Sequence, residues 1–366
     1  LGAQLNGTGA PARPVLHLLG SGGFYGAERM LLDHCLNTPG RHQVLFLGAP
    51  EPLLARFRAA GVACANRPRL LAALAFVGQL RGQRPLLNSH NFRGLLTAWL
   101  AAMLWRLALV STQHGFTPSS RKQRLYTWLS MRLCRTAAVG QVVCVAGSIA
   151  RLLQAAGVAA GKLAVIPNGL PEATVSAVRA RSGAGWQVGY VGRLSLEKGP
   201  DLFLDALIPL CRRRPKLCAV MIGDGPQRAT LQARIDASGL GARIRLVGFQ
   251  ADMAPWMGRL DALVISSRTE GTPMVLLEAM QQRVPVVAFA VGGIPDVIEH
   301  GVSGLLAPPL AVAQLVEHLE ALLLDPAQAA ELSARAWQRQ RQHHHLPSLA
   351  QHWARVYRHA SLEACP

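Results

Sequence analysis

Short apolar runs recur along the chain, separated by segments of helical length. In the first half they read VLHLLG (15–20), QVLFLGA (43–49), PLLNSH (85–90), LALVSTQHG (107–115), VVCVAGS (142–148) and LAVIPNG (163–169). The second half repeats the scheme with WQVGYVG (186–192), LCAVMIGDG (217–225), IRLVGF (244–249), ALVISS (262–267), VPVVAFA (284–290) and GLLAPP (304–309). Strand-like runs alternating with helices predict βαβ units and parallel sheets. Two sheets of about six strands each make an α/β protein of two doubly wound domains, with ligands expected in the cleft at the carboxyl ends of the strands.

The small-residue passage 169–185 predicts the border, giving a first domain over 1–175 and a second over 176–345. The last segment, 346–366, is helical in period and is expected to cross back onto the first domain. Its neighbouring run His343 to His345 is expected to be structural. The longest apolar stretch, Leu95 to Val110, carries Arg106 and falls short of the roughly 20 residues of a spanning helix, so it reads as a buried helix running into a strand.

With 366 residues the chain exceeds the roughly 250–300 at which one core stops growing, which also favours two domains. The formal net charge is +18, and it is uneven. Residues 1–185 hold 20 Lys/Arg against 4 Asp/Glu, whereas the rest holds 18 against 16. An anionic partner is implied: nucleic acid, phosphorylated metabolite or acidic lipid. Arg and Ala usage of a GC-rich genome would raise basic composition too, but in both halves. Aromatic residues make up only 5% and no nucleic-acid reading motif occurs, which argues against nucleic acid. The seven cysteines form no C-x-x-C pair and read as reduced cytosolic thiols. The first residues lack the charged and apolar regions of a signal peptide.

Several strand ends carry candidate chemistry. Gly22, Gly23 and Gly26 follow the first strand, where a glycine turn and a helix N-terminus suit a diphosphate, although the spacing is not G-x-G-x-x-G. His114 ends the fourth run and His90 the third, the latter a weaker candidate. Arg193 and Lys198 stand five residues apart on a loop after a second-domain strand and can grip a diphosphate. Gly248 allows close approach to a base or ribose. No D-x-D pair occurs, so cations from the protein would replace a metal ion. In EGTPMVLLE, Glu270 stands at a strand mouth and Glu278 on the flank of the following helix, whose N-terminal amides lie near Gly271, Thr272, Pro273, Met274 and Val275. Two carboxylates so placed suit the hydroxyl-rich ends of one ligand with its phosphates between them.

The segments GGFYGAER, QHGF, VIPNGL, VGRLSLEKGPD, IGDGPQR, VGF, EGTPMVLLE and GGIPDVIEHGVSGLL resemble the family 4 retaining glycosyltransferases, group 1 type, across nearly the whole chain. The resemblance implies the GT-B fold, two Rossmann-like domains facing across a cleft. By position, Glu270 resembles the glutamate that meets the donor sugar and Glu278 the one that holds the ribose. Arg193 and Lys198 resemble the pair on the diphosphate, His114 the histidine beside the transferring sugar, and Gly22, Gly23 and Gly26 the loop near the phosphates. Phe24 and Tyr25 between the glycines depart from the pattern, as does APPLAVAQL, which lacks the usual Gly-Asp.

The expected function is therefore retaining, metal-independent sugar transfer from a nucleotide-diphosphate sugar to a glycan or lipid-linked acceptor, without a cofactor, in polysaccharide or glycolipid synthesis. A nucleotide-sugar epimerase or phosphorylase of the same fold is the alternative; a polyanion-binding protein is a more distant one. The basic first domain and the segment Arg121 to Arg135, with Tyr126, Trp128, Leu129 and Leu133 among its cations, predict a cytoplasmic enzyme peripheral on an anionic membrane. An ordinary amphipathic helix docked on the domain is the alternative for that segment.

Overall fold

The structure is a computed structural model and describes residues 13–116, 121–172, 185–250 and 252–363. In the first half, β1 (Val15–Leu19), α1 (Gly26–Asn37), β2 (His42–Phe46), α2 (Glu51–Ala59), β3 (Ala63–Asn66), α3 (Leu70–Leu80) and β4 (Leu86–Ser89) lead to α4 (Phe92–Trp105). There follow β5 (Leu109–Gln113), α5 (Arg121–Arg135), β6 (Gln141–Cys144), α6 (Gly147–Ala155) and β7 (Leu163–Val165). The second half runs β8 (Trp186–Val191), α7 (Pro200–Arg213), β9 (Leu217–Ile222), α8 (Arg228–Ser238), β10 (Ile244–Gly248), α9 (Ala254–Met257) and β11 (Ala262–Ile265). It continues with α10 (Met274–Gln281), β12 (Val286–Phe289), α11 (Ile294–Val297), β13 (Leu305–Ala307), α12 (Val312–Leu324) and α13 (Pro326–His343), and ends in α14 (Leu346–Glu363).

The strands pair in parallel, in the orders β3-β2-β1-β4-β5-β6-β7 and β10-β9-β8-β11-β12-β13. Each sheet reverses its order once, between β1 and β4 and between β8 and β11. The loops leaving those strands diverge and open a crevice, where this architecture binds ligands. The twelve apolar runs all become strands. The additional strand β3, ACAN, lies at a sheet edge and holds no branched or aromatic apolar residue, so it carries no strand-like signal.

The stretch from Leu95 to Val110 is a helix running into a strand: α4 ends at Trp105, Arg106 turns left-handed at φ 51°, and β5 begins at Leu109. No helix among the described residues is long and apolar enough to cross a membrane.

Helix α14 crosses back onto the first sheet. Its Leu349, Trp353, Val356 and Tyr357 pack with Val15, Leu86, Val110 and Val143 of the strands. Each such side chain contributes roughly 1.5–3 kcal/mol on burial. The helix thus completes the hydrophobic core on that face of the sheet and is part of the first domain. The histidine run serves this return. Leu170 bridges to His345, and His344 is buried with its Nδ1 2.9 Å from the Asn168 carbonyl oxygen. The chain therefore leaves and re-enters the first domain at one place, while the expected border at 175/176 lies outside the described residues.

Candidate active site

The neighbouring strands β8 and β11 bring Lys198 and Glu270 together. Lys198 Nζ lies 2.8 and 2.7 Å from the two carboxylate oxygens of Glu270, and Ser267 Oγ donates to Oε1 at 2.7 Å. The loop carrying Lys198 is fastened from beneath: Tyr190 OH donates to the Arg193 carbonyl (2.9 Å) and Ser266 Oγ to that of Gly199 (2.7 Å). Burial, then the charges of Glu270, Glu197 and Asp201, push the Tyr190 hydroxyl well up, so it stays a donor. Arg268 clamps the same loop through two bonds to Asp201, 2.8 and 2.6 Å, which hold that carboxyl below its usual range. Gly292 makes the site possible from the other side. It adopts φ 57°, and a Cβ there would collide with the Glu270 carbonyl oxygen.

The first domain meets this site backbone to backbone. Gly115, at φ 125°, presses on Gly271, where a side chain would strike the His114 carbonyl oxygen. His114 is thus held at the cleft beside the turn that bears Glu270. Burial lowers its pKa to about 4, so the ring is neutral near pH 7. On the glycine loop, Gly26 opens α1 and abuts Met274 across the cleft, Gly23 is closed by the ring of Tyr25, and the face of Gly22 is open. Tyr25 is half exposed, and the Arg193 guanidinium lies 5.5 Å from its ring centre. The unusual aromatic of the loop therefore supports the second domain's cation.

Along α10 the expected residues divide. Glu278 is paired with Arg29 of α1, Nη1 to Oε1 at 2.7 Å. Burial raises its pKa and the guanidinium opposes the shift. Thr272 is buried and its hydroxyl donates to the Val145 carbonyl (2.7 Å), while its own carbonyl accepts from Asn168 Nδ2 (3.0 Å). Its side chain joins the domains, which leaves only its backbone for a ligand. Pro273 and Met274 are buried, Val275 partly so, which leaves the backbone at the start of α10 as what this stretch can offer a ligand. Gly248 ends β10 at φ 77° near Arg228, whose Nη1 is buried and has no hydrogen-bond partner among the described residues. A crevice lined by Val145, Thr272, Asp296, Arg339 and His344 contains neither Lys198 nor Glu270 and lies outside this constellation.

Sequence reasoning located Lys198 and Glu270 but not the contact between them. It overlooked Ser267, which only its position three residues before Glu270 marks, and it gave Arg29 no part although it lies in GGFYGAER. His90, the weaker candidate, sits directly behind His114, 3.1 Å away.

The comparisons with known proteins agree with this geometry. Residues 175–340 match the family model described as glycosyl transferases group 1, and residues 25–173 match glycosyltransferase family 4. The 2-deoxystreptamine glucosyltransferase of Streptomyces kanamyceticus is 31% identical over 317 residues, covering 79% of this chain and 82% of its own. The alpha-D-kanosaminyltransferase of the same organism is 39% identical over a 139-residue segment, 37% of this chain and 36% of that protein. Among solved structures, HepE of Anabaena in complex with UDP-glucose superposes with a TM-score of 0.83 at 23% identity, over 94% of this chain and 98% of that one. With two parallel Rossmann-like sheets, a basic loop and a glutamate meeting at their cleft, and a relative matched over most of its length, this chain belongs to the group 1, family 4 glycosyltransferases of GT-B fold.

Proposed function

We propose that the protein transfers a sugar from a nucleotide-diphosphate sugar to a hydroxyl of a glycan or lipid-linked acceptor, with retention at the anomeric carbon and without a metal ion. The observation that carries this reading is the Lys198–Glu270 pair at the mouth of β11, opposite His114. Glu270 offers acceptor oxygens to the hydroxyls of the transferred sugar. Lys198 and Arg193 stabilise charge on the leaving diphosphate, preorganised electrostatics being the largest catalytic term in most enzymes. Glu278 receives the ribose, and Gly248 with the partly buried Arg228 stands at the base end of the donor. The donor class is supported by HepE, whose structure holds UDP-glucose.

No enzymic nucleophile is needed. The acceptor oxygen bonds to the anomeric carbon on the face that the diphosphate leaves, the bond from that carbon to the phosphate oxygen breaks, and the acceptor proton passes to the departing oxygen. Gly22, Gly23 and Gly26, with the N-terminus of α1, lie near the phosphates.

The acceptor side is the basic first domain. Helix α5 exposes Leu125 and Trp128 among Arg121, Lys122, Arg124 and Arg132, and the adjoining α4 exposes Met103 and Leu104. Such a face suits the surface of an anionic membrane from the cytoplasmic side, with a surface-polysaccharide or glycolipid acceptor.

The test incubates the purified protein with a panel of nucleotide sugars, with and without candidate acceptors, in EDTA. The expected result is release of nucleotide diphosphate only when acceptor is present, with an α- or β-linkage matching that of the donor. Release or sugar isomerisation without acceptor would favour an epimerase, and activity restored only by Mg²⁺ or Mn²⁺ would overturn the metal-free site.

A further inference from the structure

Behind His114 stand three more histidines in single file. His114 Nε2 lies 3.1 Å from His90 Nδ1, His90 Nε2 3.0 Å from His17 Nδ1, and His17 Nε2 3.0 Å from His42 Nδ1. His42 Nε2 closes the file 3.2 Å from the carbonyl oxygen of Thr38. His17 and His42 lie in β1 and β2, and His90 and His114 directly follow β4 and β5; the four strands are neighbours in the sheet. The file therefore runs from the cleft, where His114 follows the end of β5, to the opposite rim, where His42 opens β2.

The file has a direction. A carbonyl oxygen carries no proton, so His42 Nε2 is the donor. A neutral imidazole has one N–H, so His42 Nδ1 is an acceptor and the hydrogen between it and His17 belongs to His17 Nε2. The same reasoning passes the polarity on: His90 Nε2 donates to His17, and His114 Nε2 donates to His90. His114 is left with a bare Nδ1, the nitrogen the file does not use. The rings are neutral near pH 7, because burial, aided in His17 and His90 by their histidine neighbours, lowers each pKa, that of His114 to about 4. Nothing in sugar transfer requires three further histidines in a hydrophobic sheet, and burying four imidazoles costs desolvation that a simple apolar core would avoid.

We propose that His90, His17 and His42 are positioning residues that lock His114 in its Nε2–H tautomer, so that Nδ1 presents a lone pair to the cleft and selects donors bearing a hydroxyl there. This rests on the reading in which His114 meets the transferred sugar. A hydroxyl can donate to Nδ1. A carboxylate at the same place, as in a uronic acid donor, would set lone pair against lone pair and is disfavoured. The nitrogens of His17, His34 and His42 also lie within 4.8 Å of one another, as metal ligands do. Both nitrogens of His34, however, are already engaged, by Tyr357 OH at 2.8 Å and Thr38 Oγ1 at 3.1 Å, and a metal ion would have to break the file.

The test labels the histidines of the full chain with ¹⁵N and reads each tautomer from its long-range ¹H–¹⁵N correlations, with His114 assigned by the loss of its signals in His114→Ala. The expected pattern is Nε2–H at His114, His90, His17 and His42 in the ligand-free protein. His42→Leu removes the anchor and should leave His114 a mixture of tautomers, with kcat/KM lowered about tenfold or more and nucleotide Kd unchanged. His42→Asn, whose Oδ1 can still accept from His17, should keep both the tautomer and the activity within about threefold, since one retained acceptor preserves the polarity. An Nδ1–H tautomer at His114, equal losses in the Asn and Leu variants, or ring signals of His17 and His42 that shift on titration with micromolar Zn²⁺ would overturn the proposal. Because the spectra need no substrate, they judge the file separately from the sugar contact. Full turnover in His114→Ala would instead sink that contact and the selection built on it.

Discussion

Arg29 and Glu278 form an ion pair between α1 of the first domain and α10 of the second, with Nη1 2.7 Å from Oε1. The carboxylate side chain is 13% exposed and the guanidinium 38%, so the glutamate bears most of the desolvation. Asp33, one turn along α1, adds a second carboxylate whose pKa is raised by burial, with its Oδ2 3.7 Å from Arg29 Nε. One half-exposed cation thus holds two acids that would otherwise repel each other. Its removal should cost about 1–2 kcal/mol, less than for a fully buried pair because water screens the arginine.

That cost has a pH signature. A glutamate whose folded pKa lies above its unfolded value favours the folded state below the unfolded pKa and loses that contribution as pH rises through the folded one. Arg29→Ala raises the folded pKa of Glu278 further, so the variant's deficit relative to the parent should be greatest near pH 7 and shrink toward pH 4.5. Thermal unfolding of both proteins across that range checks it; a deficit independent of pH would assign Arg29 a packing role only.

The two glutamates should separate in kinetics. Glu270→Gln keeps the size of the side chain but removes the charge opposite Lys198, and kcat should fall about 100-fold or more while nucleotide affinity stays within about threefold. Glu278→Ala should weaken the bare nucleotide instead. Calorimetry with nucleoside diphosphate beside steady-state rates reads both, and equal mild effects from the two would undo the assignment.

Tyr25 should act through Arg193. An exposed cation–π contact is worth about 0.5–1 kcal/mol, so Tyr25→Ala should raise the donor KM about two- to fivefold with little change in Tm. Tyr25→Phe retains the ring and should behave as the parent. A loss in Phe equal to that in Ala would transfer the effect to the tyrosine hydroxyl.

The buried histidines should make the protein acid-labile. His17, His34, His42, His90, His114 and His344 all have lowered pKa values, chiefly by burial. Below pH 6.5 the unfolded chain binds protons that the folded one refuses, so stability falls with pH until the folded pKa is reached, near 4 for His114 and His344. Each such group contributes up to about 1.4 kcal/mol per pH unit. Urea midpoints should therefore drop steeply between pH 6.5 and 5, whereas a flat profile would mean that the rings charge in place.

Attachment to membranes should be electrostatic. Each Lys or Arg near an acidic surface contributes about 1 kcal/mol, so the protein should sediment with phosphatidylglycerol vesicles at low salt and be released at high salt. Replacing Trp128 and Leu125 by Ser should weaken binding without altering turnover on a soluble acceptor. Indifference to lipid charge and to salt would remove the membrane and leave the transferase intact.

The chain's sequence determined its twelve principal strands, because the central strands of each sheet are buried on both faces and need continuous apolar runs, and the edge strands β7 and β10 keep short runs of the same kind. It marked the last segment as helical, while its return to the first sheet was left to the tertiary structure, and it located Lys198, Glu270 and His114 on loops after strands and Glu278 on the helix that follows. What it left open depends on which strands become neighbours. β1, β4, β5 and β2 are far apart in sequence yet adjacent in the sheet, and only that adjacency turns four scattered histidines into a file. The same holds across the cleft, where the Thr272 hydroxyl bonds the first domain's backbone and Arg29 finds Glu278. Hydrogen bonds and ion pairs act over about 3 Å, and contacts of that length between residues tens to hundreds apart in the chain are decided by the packing of the two sheets.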